Sequence, residues 1–308
     1  MLLTKPSIDK GLKGILFLAI FSSFISCTKR TNILIDGSST VYPITEAVAE
    51  EFGKVNSKVQ VTVGISGTGG GFKKFCNGET DISDASRTIK SKESEDCSSR
   101  KIEYLEVPVA YDGLAILVNK QNSFINELTV EQLFKIFNEK TPAATWKDIN
   151  PAWPAEKIKI YSPGQDSGTY DYFVEAIIGK KGSVRNDATF SEDDNVLVKG
   201  ISGDKNGIGF FGLAYYEENR DSLKLVSVIN PNTKKGVQPT QETVKDGSYA
   251  PLSRLIYIYV GKKAYEKPEV KEFVKFYNEK AGKLSKDVGY IPLTTELYNS
   301  NSENLKNF

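Results

Sequence analysis

From residue 32 onward, short apolar runs alternate with stretches of helical periodicity, the pattern of an α/β fold. Asn32-Ile33-Leu34-Ile35 reads as a strand. It leads through Asp36-Gly37-Ser38-Ser39-Thr40 into a helix whose Val41, Ile44, Val48 and Phe52 share one face. Pro43 sits in the first turn of that helix, where a missing N–H is tolerated. Val59 to Val63 alternates strictly and reads as a second strand. Gly64-Ile65-Ser66-Gly67-Thr68-Gly69-Gly70-Gly71 follows, then a short helix carrying Phe72 and Phe75 that closes near Gly78. The arrangement returns a third time: Ile158 to Tyr161 as a strand, Ser162 to Thr169 as a loop, and a helix with Tyr170, Phe173, Val174 and Ile177 that stops at Gly179.

Between and after these units, Val107 to Tyr111, Leu114 to Val118 and Leu255 to Val260 read as extended chain. Thr129-Val130-Glu131-Gln132 has capping-box spacing and opens a helix buried through Leu133, Ile136 and Phe137. Pro268 starts another, with Val270, Phe273, Val274 and Tyr277 inward and an end at Gly282. Ser300 to Phe308 reads as a frayed tail.

Residues 1–27 read as an address rather than as fold. Lys5, Lys10 and Lys13 precede an uncharged apolar run, Gly14 to Phe24, that ends in Ile25-Ser26-Cys27. That run is too short for a membrane span, which needs roughly 20 residues. Cysteine directly after a small residue resembles a bacterial lipobox, in which Cys27 is acylated and becomes the new N-terminus; Phe24 stands where leucine is usual. Residues 28–32 then read as a polar tether. A non-lipidated signal peptide and a buried N-terminal helix are the alternatives. Export implies an oxidising space, so Cys76 and Cys97 are expected to be bridged, with two buried free thiols as the alternative.

Composition removes several function classes. Lysine plus arginine number 40 against 39 aspartate plus glutamate in 308 residues, which argues against a basic nucleic-acid surface. Hydrophobic residues at 39%, with 11% aromatics, suffice to pack an interior. There is no histidine, which excludes a Ser-His-Asp triad and a histidine-ligated zinc site within this chain.

The three loops of Ser, Thr and Gly that lead from strand to helix carry the candidate chemistry. Such loops expose backbone N–H groups at the positive end of the helix dipole, beside hydroxyl donors, and so cradle anions. Any one of them is also what an ordinary N-cap requires; three in one chain, each at the carboxyl end of a strand, point to ligand binding. Nucleotide motifs fail on spacing. The Gly-Lys pairs at Gly53, Gly179, Gly261 and Gly282 lack the hydroxyl of a P-loop, and no full GxGxxG follows Gly67 and Gly69. A fourth segment, Asp81-Ile82-Ser83-Asp84-Ala85-Ser86-Arg87, offers a guanidinium beside a hydroxyl, suited either to an oxyanion or to a neighbouring carboxylate.

These residues carry a resemblance. Asp36 to Pro43, Gly64 to Phe72, Asp81 to Arg87 and Asp166-Ser167-Gly168-Thr169 resemble the PstS-type phosphate-binding proteins of phosphate ABC transporters. Leu128 to Phe137 with Trp146, Asp193-Asp194-Asn195 before Gly207 to Phe210, and Pro251-Leu252-Ser253-Arg254 fit as well, so the match spans nearly the whole chain after Cys27. The resemblance implies a two-lobed periplasmic-binding-protein fold of type II. Residues 33–112 and 251–308 would form the first lobe and 113–250 the second, joined by two crossing strands and closing on one phosphate without catalysis or cofactor.

Carried over residue by residue, Ser39, Thr40 and Val41 would bind from the first helix. Ser66 and Thr68 would bind from the glycine loop, Ser86 and Arg87 from the fourth segment, and Ser167, Gly168 and Thr169 from the opposite lobe. One branch of the family has an arginine four residues before the serine of its SGT loop and an aspartate in the fourth segment. Here those places hold Pro163 and Ser86, so Arg87 is inferred as the cation and Asp166 as the carboxylate. A carboxylate matters because monohydrogen phosphate has a proton to donate and sulfate does not.

The resulting expectation is a monomeric, high-affinity phosphate-binding lipoprotein, exported and lipid-anchored to a bacterial membrane, that delivers phosphate to ABC permease subunits and binds no nucleic acid. The alternatives are a surface lipoprotein or adhesin on the same fold and a receptor for another tetrahedral oxyanion.

Overall fold

A computed structural model describes residues 31–308 apart from 166, 180 and 192. The expected leader 1–27 with its Cys27, residues 28–30 of the expected tether, and Asp166 therefore lie outside the described residues. Twelve strands are present among the described residues: β1 (Thr31–Gly37), β2 (Val59–Ile65), β3 (Ile82–Ala85), β4 (Tyr104–Asn119), β5 (Glu127–Thr129), β6 (Lys159–Pro163), β7 (Thr189–Ser191), β8 (Gly207–Gly212), β9 (Leu223–Ile229), β10 (Gly236–Val237), β11 (Ser253–Gly261) and β12 (Ile291–Pro292). Their main order is β2-β1-β3-β11-β4-β8-β6-β7. β1 is parallel to both β2 and β3, and β6 is parallel to both β7 and β8. The chain is a two-lobed α/β protein, with a parallel-strand unit in each lobe.

β4 joins the lobes. It runs 16 residues; Tyr104 to Gly113 pair with β11, and Leu114 to Asn119 pair with β8 and β9. The return crossing reaches β11 through Pro251 and Leu252, whose carbonyl accepts from Leu114 N at 2.9 Å. Apolar side chains separate accordingly. One core gathers Ile33, Ile35, Val48, Phe52, Val107, Ile256, Phe273 and Tyr277. Another gathers Leu114 to Val118, Phe137, Trp146, Phe173 and Phe210. A third, smaller cluster of Phe72, Phe75, Cys76, Cys97 and Tyr259 sits beneath α2 (Gly67–Cys76).

The helices follow the periodic stretches. α1 (Tyr42–Val55) buries Ile44, Val48 and Phe52. The capping box at Thr129 is formed: its hydroxyl accepts from Gln132 N at 3.0 Å, and Gln132 Oε1 accepts from Thr129 N at 2.9 Å. Cys76 is bridged to Cys97, which ties α2 to α3 (Ser91–Ser99). Among the described residues, no helix is long and apolar enough to cross a membrane.

Two expectations need correction. The residues read as a frayed tail form a helix, Thr295–Asn307, because Asn301 and Leu305 are buried on its inner side. Asn301 Nδ2 donates to Pro108 O at 2.8 Å, and Leu305 O accepts from the Tyr265 hydroxyl at 3.0 Å. A polar composition with few apolar anchors hid that docking. At the other end, Thr31, read as tether, belongs to β1 and pairs with Val59; Asn32, read both as the end of the tether and as the start of the strand, is strand and pairs with Gln60.

Candidate functional site

The parallel pairing of β1 with β2 and β3 brings the carboxyl ends of three strands to one edge of the first lobe. The chain leaves those ends as Ser38 to Thr40, Ser66 to Gly69, and Ser86 with Arg87. From the second lobe, the helix Gly168–Phe173 and the π-helical turn Val174–Ile178 that continues it approach the same edge. Phe173 pins that helix by stacking on Phe210 with ring centroids 3.8 Å apart. Between them lies a cleft of about 300 Å³, lined by Ser38, Ser39, Thr40, Gly67, Thr68, Gly69, Ser86 and Arg87 from one lobe, Asp171, Tyr172, Val174 and Glu175 from the other, and Arg254 from β11.

The first loop is folded by its own serine. Ser38 N donates to Asp84 O at 3.0 Å, Thr40 N donates to Ser38 Oγ at 3.2 Å, and Val41 N donates to Ser38 O at 3.2 Å. Val41 is therefore not brought to the cleft: its amide serves its own turn and its side chain is buried in the core. Ser66 also turns away. Its hydroxyl donates to Asp36, which holds Lys74 Nζ at 2.5 Å as well. Gly67 takes φ +72, a left-handed conformation that suits glycine, and this turn starts α2 with Thr68 facing the cleft. Thr68 Oγ1 accepts from Ser86 N at 3.1 Å and shares a hydrogen with Ser86 Oγ at 2.9 Å, so the second and fourth segments form one wall.

The opposite wall touches the first. Thr40 Oγ1 donates to Gly168 O at 3.1 Å, and Ser39 Oγ donates to Asp171 Oδ2 at 2.9 Å. A Cβ on Gly168 would stand 2.4 Å from Thr40 Cα, so glycine is what this approach of two backbones requires. Ser167 caps its own helix by accepting from Thr169 N at 3.2 Å. Ser167, Gly168 and Thr169 thus stand at the rim; none of them lines the cleft.

The cations are divided differently from the sequence expectation. Arg87 lines the cleft, but its fork is spent on Glu93 through two bonds of 2.8 Å. Burial works against the Glu93 charge, yet Arg87 and the Lys90 amide outweigh it and hold that carboxyl below its usual range. Arg254, absent from the expected site, reaches into the cleft from the crossing strand. Its Nη2 donates to Thr40 Oγ1 at 3.0 Å and its Nε to Asp112 Oδ2 at 3.3 Å. The guanidinium lies 3.4 Å from the Tyr172 ring centroid, and the Tyr172 hydroxyl is fixed on Pro251 O at 2.9 Å. Burial pushes the Asp112 carboxyl up, with Arg254 opposing that rise.

Asp171, Tyr172, Ser38 and Arg254 were thus missed. Arg254 had one signal, its place in the Pro251 to Arg254 segment. Ser38 lay within the first Ser/Thr/Gly loop but was not singled out; Asp171 and Tyr172 gave no signal, because their partners Ser39 and Pro251 are distant in sequence. Chemically, the cleft offers hydroxyl and amide donors, the Arg254 guanidinium over Tyr172, the Arg87 guanidinium paired with Glu93, and the carboxylates of Asp171 and Glu175. That set suits a small oxyanion that also has a proton to give.

Comparison with known proteins agrees with this geometry. The family model of the PBP superfamily domain matches residues 23–280. The chain is 47% identical to Protein SphX of Synechococcus elongatus, covering 98% of this chain and 90% of that protein. It is 46% identical to the phosphate-binding protein PstS of Staphylococcus saprophyticus, covering 88% of this chain and 83% of that protein. Among solved structures, a possible phosphate binding protein from Planctomyces limnophilus superposes with a TM-score of 0.87 at 42% identity, over 90% of this chain and 98% of that one.

Proposed function

The chain belongs to the PBP superfamily, among its PstS-type phosphate-binding proteins, and from that premise we propose that it is the phosphate receptor of an ABC transporter. The observation that carries this reading is the meeting of Ser39, Thr40, Thr68, Ser86, Arg254 and Asp171 around one cleft between the lobes. In this reading hydroxyls and helix-start amides replace the hydration shell of phosphate, and Arg254 supplies the cation. Asp171 takes the role assigned to Asp166 and accepts the proton of monohydrogen phosphate. Sulfate would set its own acceptor against that carboxylate, an unmade charged hydrogen bond of about 1.5–3 kcal/mol. The lobes bend about Asp112 to Leu114 and Pro251 to Ser253, where few strands join them, and close on the ion.

The delivery route follows from the same premise. An acylated Cys27 holds the receptor, a monomer, at the outer face of a membrane, beside the permease that takes the phosphate. A Cys27→Ser variant appearing in the medium instead of the membrane fraction supports the anchor; membrane retention refutes it.

Titration calorimetry of residues 28–308 with phosphate and with sulfate tests the central reading. Tight phosphate binding with weak sulfate binding is the expected outcome; sulfate binding more tightly overturns it. An adhesin with a vestigial cleft would bind neither ion.

A further inference from the structure

The residue beneath the first anion loop is a buried acid. Asp84 lies in β3 as the register partner of Gly37, the last residue of β1, and its carbonyl accepts from Ser38 N at 3.0 Å. The two backbones lie so close that a Cβ on Gly37 would stand 2.1 Å from Asp84 O. The Asp84 side chain stands beside the hydroxyl of Thr45, in the first turn of α1. One residue thus grips both ends of the segment that carries Ser39 and Thr40 to the cleft.

Asp84 is 1% exposed, and neither carboxyl oxygen is matched by a backbone N–H or a cation among the described residues. A charge without partners is not kept in such a place, so the group holds its proton. From α1 it faces the Thr45 hydroxyl, which shares a hydrogen with the Tyr277 phenol at 3.0 Å. Tyr277 comes from the helix Pro268–Asp287, and burial holds its phenol well above the usual range. From β11 the register partner is Ile258, which does not titrate. Among the described residues, the charge that acts on Asp84 is that of Asp36, one residue before Gly37 and held by Lys74. Burial, with Thr45 opposing and Asp36 adding, pushes the Asp84 carboxyl up to about 8.

Resting on the phosphate reading above, we propose that neutral Asp84 is the positioning residue of the loop 38–40, and that loss of its proton weakens phosphate binding. Ionised, the carboxyl calls for donors that only water or a displaced Thr45 can supply, and its grip on Ser38 and α1 loosens. A bound anion opposes the same step, since two like charges would then face each other across one loop. By linkage, phosphate and the Asp84 proton each favour the binding of the other. Affinity is full while Asp84 is neutral and falls as pH rises through about 8; one pH unit higher, roughly a tenth of the chains are still neutral.

Phosphate calorimetry from about pH 6 to about pH 9, on the parent protein and on Asp84→Asn, tests this. The ionisation of phosphate itself is common to both and cancels in the ratio of parent Kd to variant Kd. That ratio is expected to rise at least fivefold across the range. Circular dichroism at each pH reports that both proteins stay folded, which separates loop positioning from unfolding. Thr45→Val removes the hydroxyl that favours the charged form, so its loss of affinity should move to higher pH than the parent's. Should Asp84→Asn fail to fold, that shift decides alone. A ratio that stays constant across the range, or a Thr45→Val profile that coincides with the parent's, overturns the proposal. A parent protein that binds no phosphate at any pH would instead sink the receptor reading, and this one with it.

Discussion

Arg254 and Asp112 are register partners on the antiparallel strands β11 and β4, and Arg254 Nε donates to Asp112 Oδ2 across that pair at 3.3 Å. Both strands belong to the crossing between the lobes, so the guanidinium is held at the pivot rather than on either jaw. It is presented to the cleft with Tyr172 behind it and Thr40 in front. Arg87, by contrast, belongs to one lobe and is neutralised by Glu93.

That difference separates two variants. Arg254→Ala should weaken phosphate binding by roughly 10- to 100-fold, the equivalent of losing a charged hydrogen bond of about 1.5–3 kcal/mol. Arg87→Ala should act less on binding and more on thermal stability, since it strands the half-buried Glu93. Calorimetry and melting curves on both variants decide; equal binding losses would return the cationic role to Arg87.

Asp171→Asn should narrow selectivity. Phosphate affinity falls about tenfold while sulfate affinity rises, because the amide can donate where the carboxylate only accepts. Unchanged phosphate-to-sulfate ratios would remove Asp171 from the site.

Gly168→Ala places a methyl carbon against the Thr40 backbone. It should leave the melting temperature of the unliganded chain near that of the parent and lower phosphate affinity by more than tenfold. Small-angle scattering should then show no compaction on adding phosphate, whereas the parent compacts.

Asp84 gives a pH dependence. Burial, with the Thr45 hydroxyl opposing and Asp36 adding, pushes its carboxyl up to about 8. An ordinary aspartate in the unfolded chain titrates near ~4. The group's contribution is thus fully present below that value and is lost as pH rises through about 8. Asp84→Asn, neutral at every pH, should melt higher than the parent at pH 8 and alike below pH ~4. A difference that does not depend on pH would show that Asp84 is not the titrating group.

Reducing the Cys76–Cys97 bridge, or replacing both cysteines with serine, removes a cross-link spanning 21 residues. The loss should be about 3 kcal/mol in chemical denaturation. Phosphate affinity should fall as well, because the bridge anchors α2, whose first turn carries Thr68. Denaturation curves and calorimetry on the same variant check both halves.

The sequence by itself determined the α/β class and the strand–loop–helix units; for the two cysteines it left bridge and free thiols open, and the fold joins them. Class and units depend on local periodicity, or on a short motif whose requirements travel with it. It also marked Ser39, Thr40, Thr68, Ser86 and Arg87, which do line the cleft, because hydroxyls and glycines at helix starts are a local signature. Tertiary structure decided which of those hydroxyls face inward. Ser66 has the right residue type and spacing but turns to Asp36, a partner 30 residues away. It decided the cation too: Arg254 meets Asp112 across 142 residues and Thr40 across 214. Such pairings arise from the register of β4 with β11 and the approach of two lobes, and no run of neighbouring residues encodes either. The docked C-terminal helix follows the same logic, since the partners of Asn301 and Leu305, Pro108 and Tyr265, lie 193 and 40 residues away.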